Sequence, residues 1–281
     1  MYSENGFTTF EKNQNSVKVS NLTGKNVLIT GGAAGIGKIM GRLSLKKGAA
    51  LIIFDIDEKK LAETKNEFSK LGKVWSFKVD VTDEEAIEKA LAQIKEEHIT
   101  IDVLINNAGV VFGKYFHEHT PAEIEKTFRV NSLALMHLTL KIFPGMLEQN
   151  VGHICNIASS AGLISNPKMS VYSSSKWAAI GWSDSLRLEM KQLKKNIKVT
   201  TVTPYYIDTG MFAGVRSRIP MLKPEKAARK IIRGIEKNRI YVSMPWTVHF
   251  VRFSQGILPI AVFDWFVGKV LGVYKTMEHF T

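Results

Sequence analysis

The chain has 281 residues, 45% of them hydrophobic and 23% charged, which is enough length and apolar content for one large buried core and excludes a disordered or fibrous chain. Its 38 Lys and Arg against 26 Asp and Glu give a net charge of +12; no recognition motif accompanies that charge, so nucleic acid is excluded as a partner. The single cysteine, Cys155, excludes an internal disulfide framework and any multi-cysteine metal site.

Residues 1–24 are polar and lack the apolar stretch of a signal peptide, so an extension with neither a secretory leader nor an N-terminal anchor is expected. No uncharged apolar run of about 18 residues follows, and no conventional membrane-spanning helix is expected. A strand-length apolar run at 26–30 stops at Gly31, where a helical pattern begins. Glycines 31, 35 and 37 let the backbone turn tightly and approach a pyrophosphate, whose charge would face a helix N-terminus. The next apolar run, 50–54, ends at Asp55. An acid there accepts hydrogen bonds from a ribose 2′-hydroxyl and repels a 2′-phosphate, and no arginine adjoins it, so NAD(H) is preferred to NADP(H). Asp55 and Asp57 also precede a helical segment and are candidate N-caps.

Helices are expected at 58–71 and 83–97, on either side of a strand at 74–78, and a strand at 103–106 leads into Asn107-Ala108-Gly109. Asn131 stands at the start of an apolar helix over 132–147, as its N-cap or as a functional residue. A strand at 153–157 encloses Cys155, expected as a buried and inert thiol in a reducing compartment. A strand at 198–203, a helix at 224–237 and a strand near 239–242 complete an alternation that predicts one α/β domain over 25–245. Its expected architecture is a doubly wound parallel sheet of about seven strands with helices on both faces. Residues 246–281 break the rhythm. They are apolar and aromatic, and a helix begun near Pro259 would place Asp264, Gly268, Gly272 and Lys275 on one narrow side. His117, His119, His137 and His153 show no ligand spacing, so no metal is expected.

The chemistry centres on Tyr172 and Lys176, four residues or one helical turn apart, so that a phenol and an ammonium project side by side. A neighbouring cation favours phenolate and lowers a pKa that starts near ~10, which suits Tyr172 to general acid–base work. Ser159 precedes it by thirteen residues.

In order and spacing, Thr30-Gly-x-x-x-Gly-x-Gly37, Asn106-Asn107-Ala108-Gly109, Asn131, Ser159 and Tyr172-x-x-x-Lys176 resemble the short-chain dehydrogenase/reductase (SDR) family over about residues 25–242. The resemblance implies a single-domain Rossmann fold and an NAD(P)-dependent oxidoreductase acting on CH–OH groups. It implies a catalytic tetrad. Tyr172 exchanges a proton with the substrate oxygen, Ser159 donates a hydrogen bond to it, Lys176 holds the nicotinamide ribose, and Asn131 positions a water. It also implies that Gly31, Ala33, Gly35, Ile36, Gly37, Asp55, Asp80, Val81, Asn107, Ala108, Gly109, Tyr172, Lys176, Pro204, Ile207 and Thr209 bind the cofactor. Asp80-Val81 would meet the adenine, Asn106 and Gly109 would support the cofactor wall, and Thr209 would meet the nicotinamide carboxamide. A homo-oligomer, dimer or tetramer, is implied as well.

One departure narrows the resemblance. Many members have Pro-Gly after the sixth strand, whereas this chain reads Pro204-Tyr-Tyr-Ile-Asp-Thr-Gly-Met-Phe212. That form is similar to the branch with retinol dehydrogenase 10, epidermal retinol dehydrogenases and related 17-beta-hydroxysteroid dehydrogenases, which act on lipophilic substrates at membranes. With Tyr205, Tyr206, Met211, Phe212 and the aromatic tail, it predicts a retinoid, steroid or long-chain alcohol as substrate. Trp246, Phe263, Trp265 and Phe266, with 17 Lys and Arg against 6 Asp and Glu from residue 187 onward, predict peripheral contact with an anionic lipid surface or with another subunit, in a cytoplasmic protein. Two other functions compete: a 3-ketoacyl-thioester reductase, for which Arg216 and Arg218 would favour a phosphorylated carrier, and a non-catalytic dinucleotide-binding regulator.

Overall fold

A computed structural model describes residues 21–280, so the expected polar extension lies outside the described residues except at 21–24. There Leu22 is buried in the core and the Gly24 amide donates to the Gly48 carbonyl at 2.8 Å. In chain order follow β1 (Asn26–Thr30), α1 (Gly35–Lys46), β2 (Ala50–Asp55), α2 (Glu58–Phe68), β3 (Val74–Lys78), α3 (Glu84–Glu96) and β4 (Val103–Asn106). Then come α4 (Pro121–Phe128), α5 (Ala134–Gln149), β5 (Gly152–Ile157), α6 (Ser170–Gln192), β6 (Ile197–Pro204), α7 (Pro224–Glu236) and β7 (Tyr241–Met244). Two short helices, α8 (Val251–Ile257) and α9 (Ile260–Trp265), follow the last strand.

All seven strands are parallel, in the order β3-β2-β1-β4-β5-β6-β7. This is the doubly wound sheet the alternation predicts. Side chains on a strand point alternately to its two faces, and here both faces are apolar. Val27, Ile29, Leu51 and Ile53 pack with α1, α2 and α7, while Leu28, Ile52 and Phe54 pack with α3, α5 and α6. Double-sided burial explains why these strands read as continuous apolar runs. Helix starts are chemically marked too: Asp57 and Asp83 accept from the amides of Lys60 and Ala86, each at 3.1 Å, and Thr120 and Glu123 form a reciprocal box at the start of α4.

Two local expectations change. The helix expected to begin at Ser132 is part of one unbroken helical stretch, Pro121–Gln149, because a π-helical turn at Arg129–Leu133 joins α4 to α5. Asn131 is therefore no N-cap. By length and composition this stretch is apolar enough to cross a membrane, with a mean hydropathy of 1.2 over its most apolar window. The expectation of no such helix rested on an uncharged run, and Lys141 interrupts this one. Leu138, Ile142 and Met146 bury its inner face against the sheet, and 44% of that window lies inside the molecule, as in a core helix. The helix expected from Pro259 also does not continue to Lys275. It passes through a π-helical turn at Phe266–Val270 and ends where Gly272 takes a left-handed φ of +68°. The chain turns back there, so the Tyr274 ring packs on Gly268 and its hydroxyl donates to Asp264 at 2.6 Å.

Candidate active site

Strand order reverses between β1 and β4, and the crevice outside their C-terminal ends is where open parallel sheets bind ligands. A cavity of about 300 Å³ lies there. Its first wall is the turn from β1 into α1. Gly31 and Gly35 adopt φ of +63° and +51°, and a Cβ on Gly37 would collide with the Gly31 carbonyl oxygen. The N-cap of α1, Ala34, offers no side-chain cap, and the first turn carries no acidic residue. Ala34, Gly35 and Ile36 all line the cavity. Free amides and the positive end of a twelve-residue helix thus face the space, an arrangement that fits a pyrophosphate.

This turn is held from two sides. Thr30 Oγ1 accepts from the Asn107 and Ala108 amides at 2.9 and 3.0 Å, and Asn107 Nδ2 donates to the Thr30 and Gly31 carbonyls at 2.9 and 3.1 Å. On the other side, Asp55 Oδ2 accepts from the Ala33 amide at 2.9 Å and Oδ1 from the Asp57 amide at 3.0 Å. Asp57, not Asp55, caps α2. Asp55 lines the cavity, and an ionised carboxylate has lone pairs to spare beyond the two it uses here.

On the opposite wall, α6 carries Tyr172 and Lys176. Both are buried, and the Lys176 ammonium is 5.7 Å from the Tyr172 ring centroid. Lys176 Nζ donates to the Ile157 carbonyl at 3.0 Å, at the end of β5. Burial pushes the Tyr172 phenol up to about 12, partly offset by a hydrogen bond with Ser159, and burial pulls Lys176 down to about 8. The expectation that the ammonium lowers the phenol pKa is therefore reversed. The side chains are close, but loss of water is the leading cause for each and disfavours both charged forms. At neutral pH the proton resides on Tyr172. Ser159 Oγ accepts from the Ala161 amide at 3.1 Å, which leaves its own hydroxyl proton to be donated toward the Tyr172 oxygen.

Asn131 sits in the π-helical turn and is fully buried. Its Oδ1 accepts from the Val110 amide at 2.9 Å, and its Nδ2 donates to the Val110 carbonyl at 2.9 Å and to Ser175 Oγ at 3.1 Å. A π-turn inserts a residue into the helix and commonly marks a functional site; here it aims Asn131 at the segment after β4. A Cβ on Gly109 would lie 3.2 Å from Asn131 Oδ1 and 3.6 Å from Lys176 Nζ, so the absence of a side chain there lets the three approach.

Of the residues expected at the site, Gly31, Gly35, Ile36, Asp55, Asn107, Ala108, Gly109, Ser159, Tyr172, Lys176, Pro204, Ile207 and Thr209 line this one cavity. Thr209 stands opposite Gly35, 3.7 Å from where a Cβ would be. Ala33, Gly37 and Asn131 support the walls from behind. Asp80 and Val81 lie outside the lining, with Asp80 Oδ1 accepting from the Thr82 amide and hydroxyl, both at 2.8 Å. Asn106 points into the protein, donating to Asn156 and Thr139, and so braces β4 against β5 from beneath the cavity. The far end is apolar: Ile164, Met169, Tyr205, Tyr206, Met211, Phe212 and Val273. Sequence reasoning singled out the tyrosines, Met211 and Phe212, but not Ile164, Asn166, Met169 or Val273, whose role comes from the folding back of distant segments. Arg218 donates to the Lys269 and Val270 carbonyls at 3.1 and 3.0 Å, a structural engagement that removes the support it lent to a phosphorylated carrier. Among the described residues no cluster could hold a metal ion. His153 is buried against Thr200, and burial holds its pKa down to about 4. Cys155 is fully buried and its thiol is pushed far up.

The profile of the short chain dehydrogenase family matches residues 25–220. The chain is 35% identical over 268 residues to epidermal retinol dehydrogenase 2 of Mus musculus, covering 93% of this chain and 86% of that protein. It is 35% identical over 241 residues to estradiol 17-beta-dehydrogenase 11 of Pongo abelii, covering 85% and 80%. A crystal structure of a short chain dehydrogenase/reductase from Burkholderia phymatum in complex with NAD superposes with a TM-score of 0.75 at 25% identity, covering 84% of this chain and 94% of that one. The chain belongs to the short-chain dehydrogenase/reductase family and is an oxidoreductase of CH–OH groups.

Burial of Lys176 has a measurable cost. Its pKa in the fold, about 8, lies below the ordinary 10.5, so unfolding takes up a proton between those values and stability rises with pH across that window. Lys176→Met is expected to be more stable than the wild type at pH 7, by up to about 3 kcal/mol, and to lose that advantage as pH rises toward 10.5. Urea melts across the range test this, and a difference independent of pH would refute it.

Proposed function

We propose that this short-chain dehydrogenase interconverts an alcohol and a carbonyl on a large apolar substrate, using NAD(H) in preference to NADP(H). The observation that carries the reading is that Tyr172, Ser159 and Lys176 line the same cavity as the glycine turn at one end and Tyr205, Tyr206, Met211 and Phe212 at the other. A bound nicotinamide dinucleotide supplies or takes up the hydride. Tyr172 holds the proton that the substrate oxygen receives on reduction, and the Ser159 hydroxyl donates a second hydrogen bond to that oxygen as negative charge develops. Lys176 binds the ribose beside the ring. Asn131 holds the Val110 backbone and, through it, the cofactor wall at Gly109. The apolar end and the likeness to proteins named for retinol and estradiol support a retinoid, steroid or long-chain alcohol.

The preference for NAD(H) rests on Asp55, which lines the cavity at the end of β2 and keeps lone pairs beyond those that accept the Ala33 and Asp57 amides. We also propose peripheral contact between the C-terminal segment and a lipid surface. Phe253 and Ile260 are 67% and 73% exposed, with Trp246, Phe250, Ile257 and Trp265 also outward, while Phe263 alone of the aromatics expected there is buried, and exposed apolar and aromatic side chains of this kind suit a bilayer interface.

Three measurements test these readings. Tyr172→Phe is expected to lower kcat at least about 100-fold while NADH affinity stays nearly unchanged; activity close to wild type would overturn the assignment. Asp55→Ala is expected to shift the NAD-to-NADP ratio of kcat/KM values toward NADP by about tenfold, whereas an unchanged ratio with a lower Tm would reduce Asp55 to a support for the Ala33 amide. Vesicles containing phosphatidylserine should pellet the wild type, and Phe253→Ser with Ile260→Ser should pellet several-fold less while remaining folded. Failure of the wild type to pellet would reject the lipid contact.

A further inference from the structure

A second cavity, of about 450 Å³, lies at the other end of β6 from the active site, where α6 finishes and the strand begins. Arg187, Lys191, Lys194, Lys195 and Lys198 line it, and no acidic residue does. A reversal after α6 gathers them. The Lys194 amide donates to the Lys191 carbonyl at 3.2 Å, the Lys195 amide to the Met190 carbonyl at 2.9 Å, and Lys194 takes a left-handed φ of +55°. Asn150 Oδ1 then accepts from the Asn196 amide at 3.0 Å and fixes the approach to the strand.

These cations lack counterions. Elsewhere Lys25, Lys38, Lys47, Lys60 and Lys78 each hold a carboxylate at 2.7 to 2.9 Å. None of the four pocket lysines forms an ion pair or a side-chain hydrogen bond with another described residue. Arg187 Nε has no hydrogen bond and stands 4.0 Å from Asp184 Oδ1. A helix C-terminus favours nearby cations, which accounts for Lys191 and Lys194. It does not account for Lys198, on the strand, or for Arg187, more than a turn before the helix ends. Like charges around one hollow repel each other, and a polyvalent anion placed there relieves that repulsion.

The surroundings are those of a lipid rather than of a free anion. Ile240 lines the pocket and is exposed, and Leu193, inside the reversal, is 60% exposed. Asp184 links the pocket to α8: its Oδ2 accepts from the Tyr241 hydroxyl at 2.7 Å and from Arg252 at 3.3 Å, while its Oδ1 is the oxygen nearest Arg187. Arg252 immediately precedes the exposed Phe253. One carboxylate therefore stands between the basic pocket and the helix that carries outward apolar side chains.

We propose that this pocket receives the phosphorylated headgroup of an anionic lipid and makes the protein select polyvalent headgroups over monovalent ones. This deepens the lipid contact proposed above and rests on it.

The test is sedimentation with phosphatidylcholine vesicles carrying equal total charge as phosphatidylserine or as phosphatidylinositol bisphosphate. The wild type is expected to bind the second at least about tenfold more tightly. Replacing Lys194, Lys195 and Lys198 together by Gln should remove that preference at unchanged Tm. Replacing Lys59, Lys65 and Lys70 by Gln, which removes the same charge from the α2 side near the far edge of the sheet, should keep it. Soluble inositol trisphosphate should release the wild type from the bisphosphate vesicles and not from the phosphatidylserine ones, a readout that needs no variant. Equal binding to both vesicles, equal losses in the two triple variants, or a rise in Tm with inositol trisphosphate that has no counterpart in vesicle preference would each overturn the headgroup pocket and leave the lipid contact standing. Failure of the wild type to pellet with either vesicle would remove the lipid contact, and this inference with it.

Discussion

A lysine ammonium with only 4% of its residue surface left to solvent sets the geometry of this site. Such a charge is costly to bury unless it is satisfied nearby, and several features of the chain accommodate it. The last carbonyl of β5 accepts from it. Gly109 leaves room beside it, and a Cβ on Gly162 would come within 2.7 Å of the Lys176 backbone oxygen, so α6 can lie close against the chain that follows β5. The π-helical turn in the neighbouring rod brings Asn131 toward the same point, where Ser175, one residue before the lysine, accepts from it. Each of these costs something alone, a glycine without a side chain or a helix with an extra residue in its ladder. Together they hold one cation where a dinucleotide and a phenol can share it.

The phosphate cradle answers to a similar logic with opposite charge. Uncapped amides at the start of α1 are left for a ligand, and the turn that presents them is fixed by Thr30, Asn107 and Asp55. Asp55 has two tasks: its oxygens steady the Ala33 and Asp57 amides while the side chain also lines the cavity.

Much of this was legible in the sequence because it is local or periodic. The strands appeared as apolar runs because both faces of the sheet are covered, and Asp57 marked a helix start by its own chemistry. The residues of the glycine turn and of the Tyr172–Lys176 pair lie close together in sequence, so spacing alone placed them. What escaped depends on distance or environment. Nothing in the pattern of residues 121–149 signals an inserted residue at Asn131, since apolar periodicity passes over it. The direction of the Tyr172 shift depends on how much water the fold removes, which neighbours in sequence do not report. The Asn166–Thr276 contact spans 110 residues, and the break at Gly272 that permits it looked like one glycine on a helix face.

That break shapes how the apolar end of the cavity is built. Beyond Gly272 the chain crosses back over the cavity. Val273 joins the lining, Met277 is buried against Tyr172, Tyr205 and Tyr206, and Phe280 packs on Phe212 and over Gly113. Every strand of the sheet is synthesised before these residues, and domains emerge and organise from the N-terminal side. On the ribosome, the nucleotide-facing half can therefore take shape while the opposite compartment still stands open, and its roof arrives only with the residues that follow the sheet.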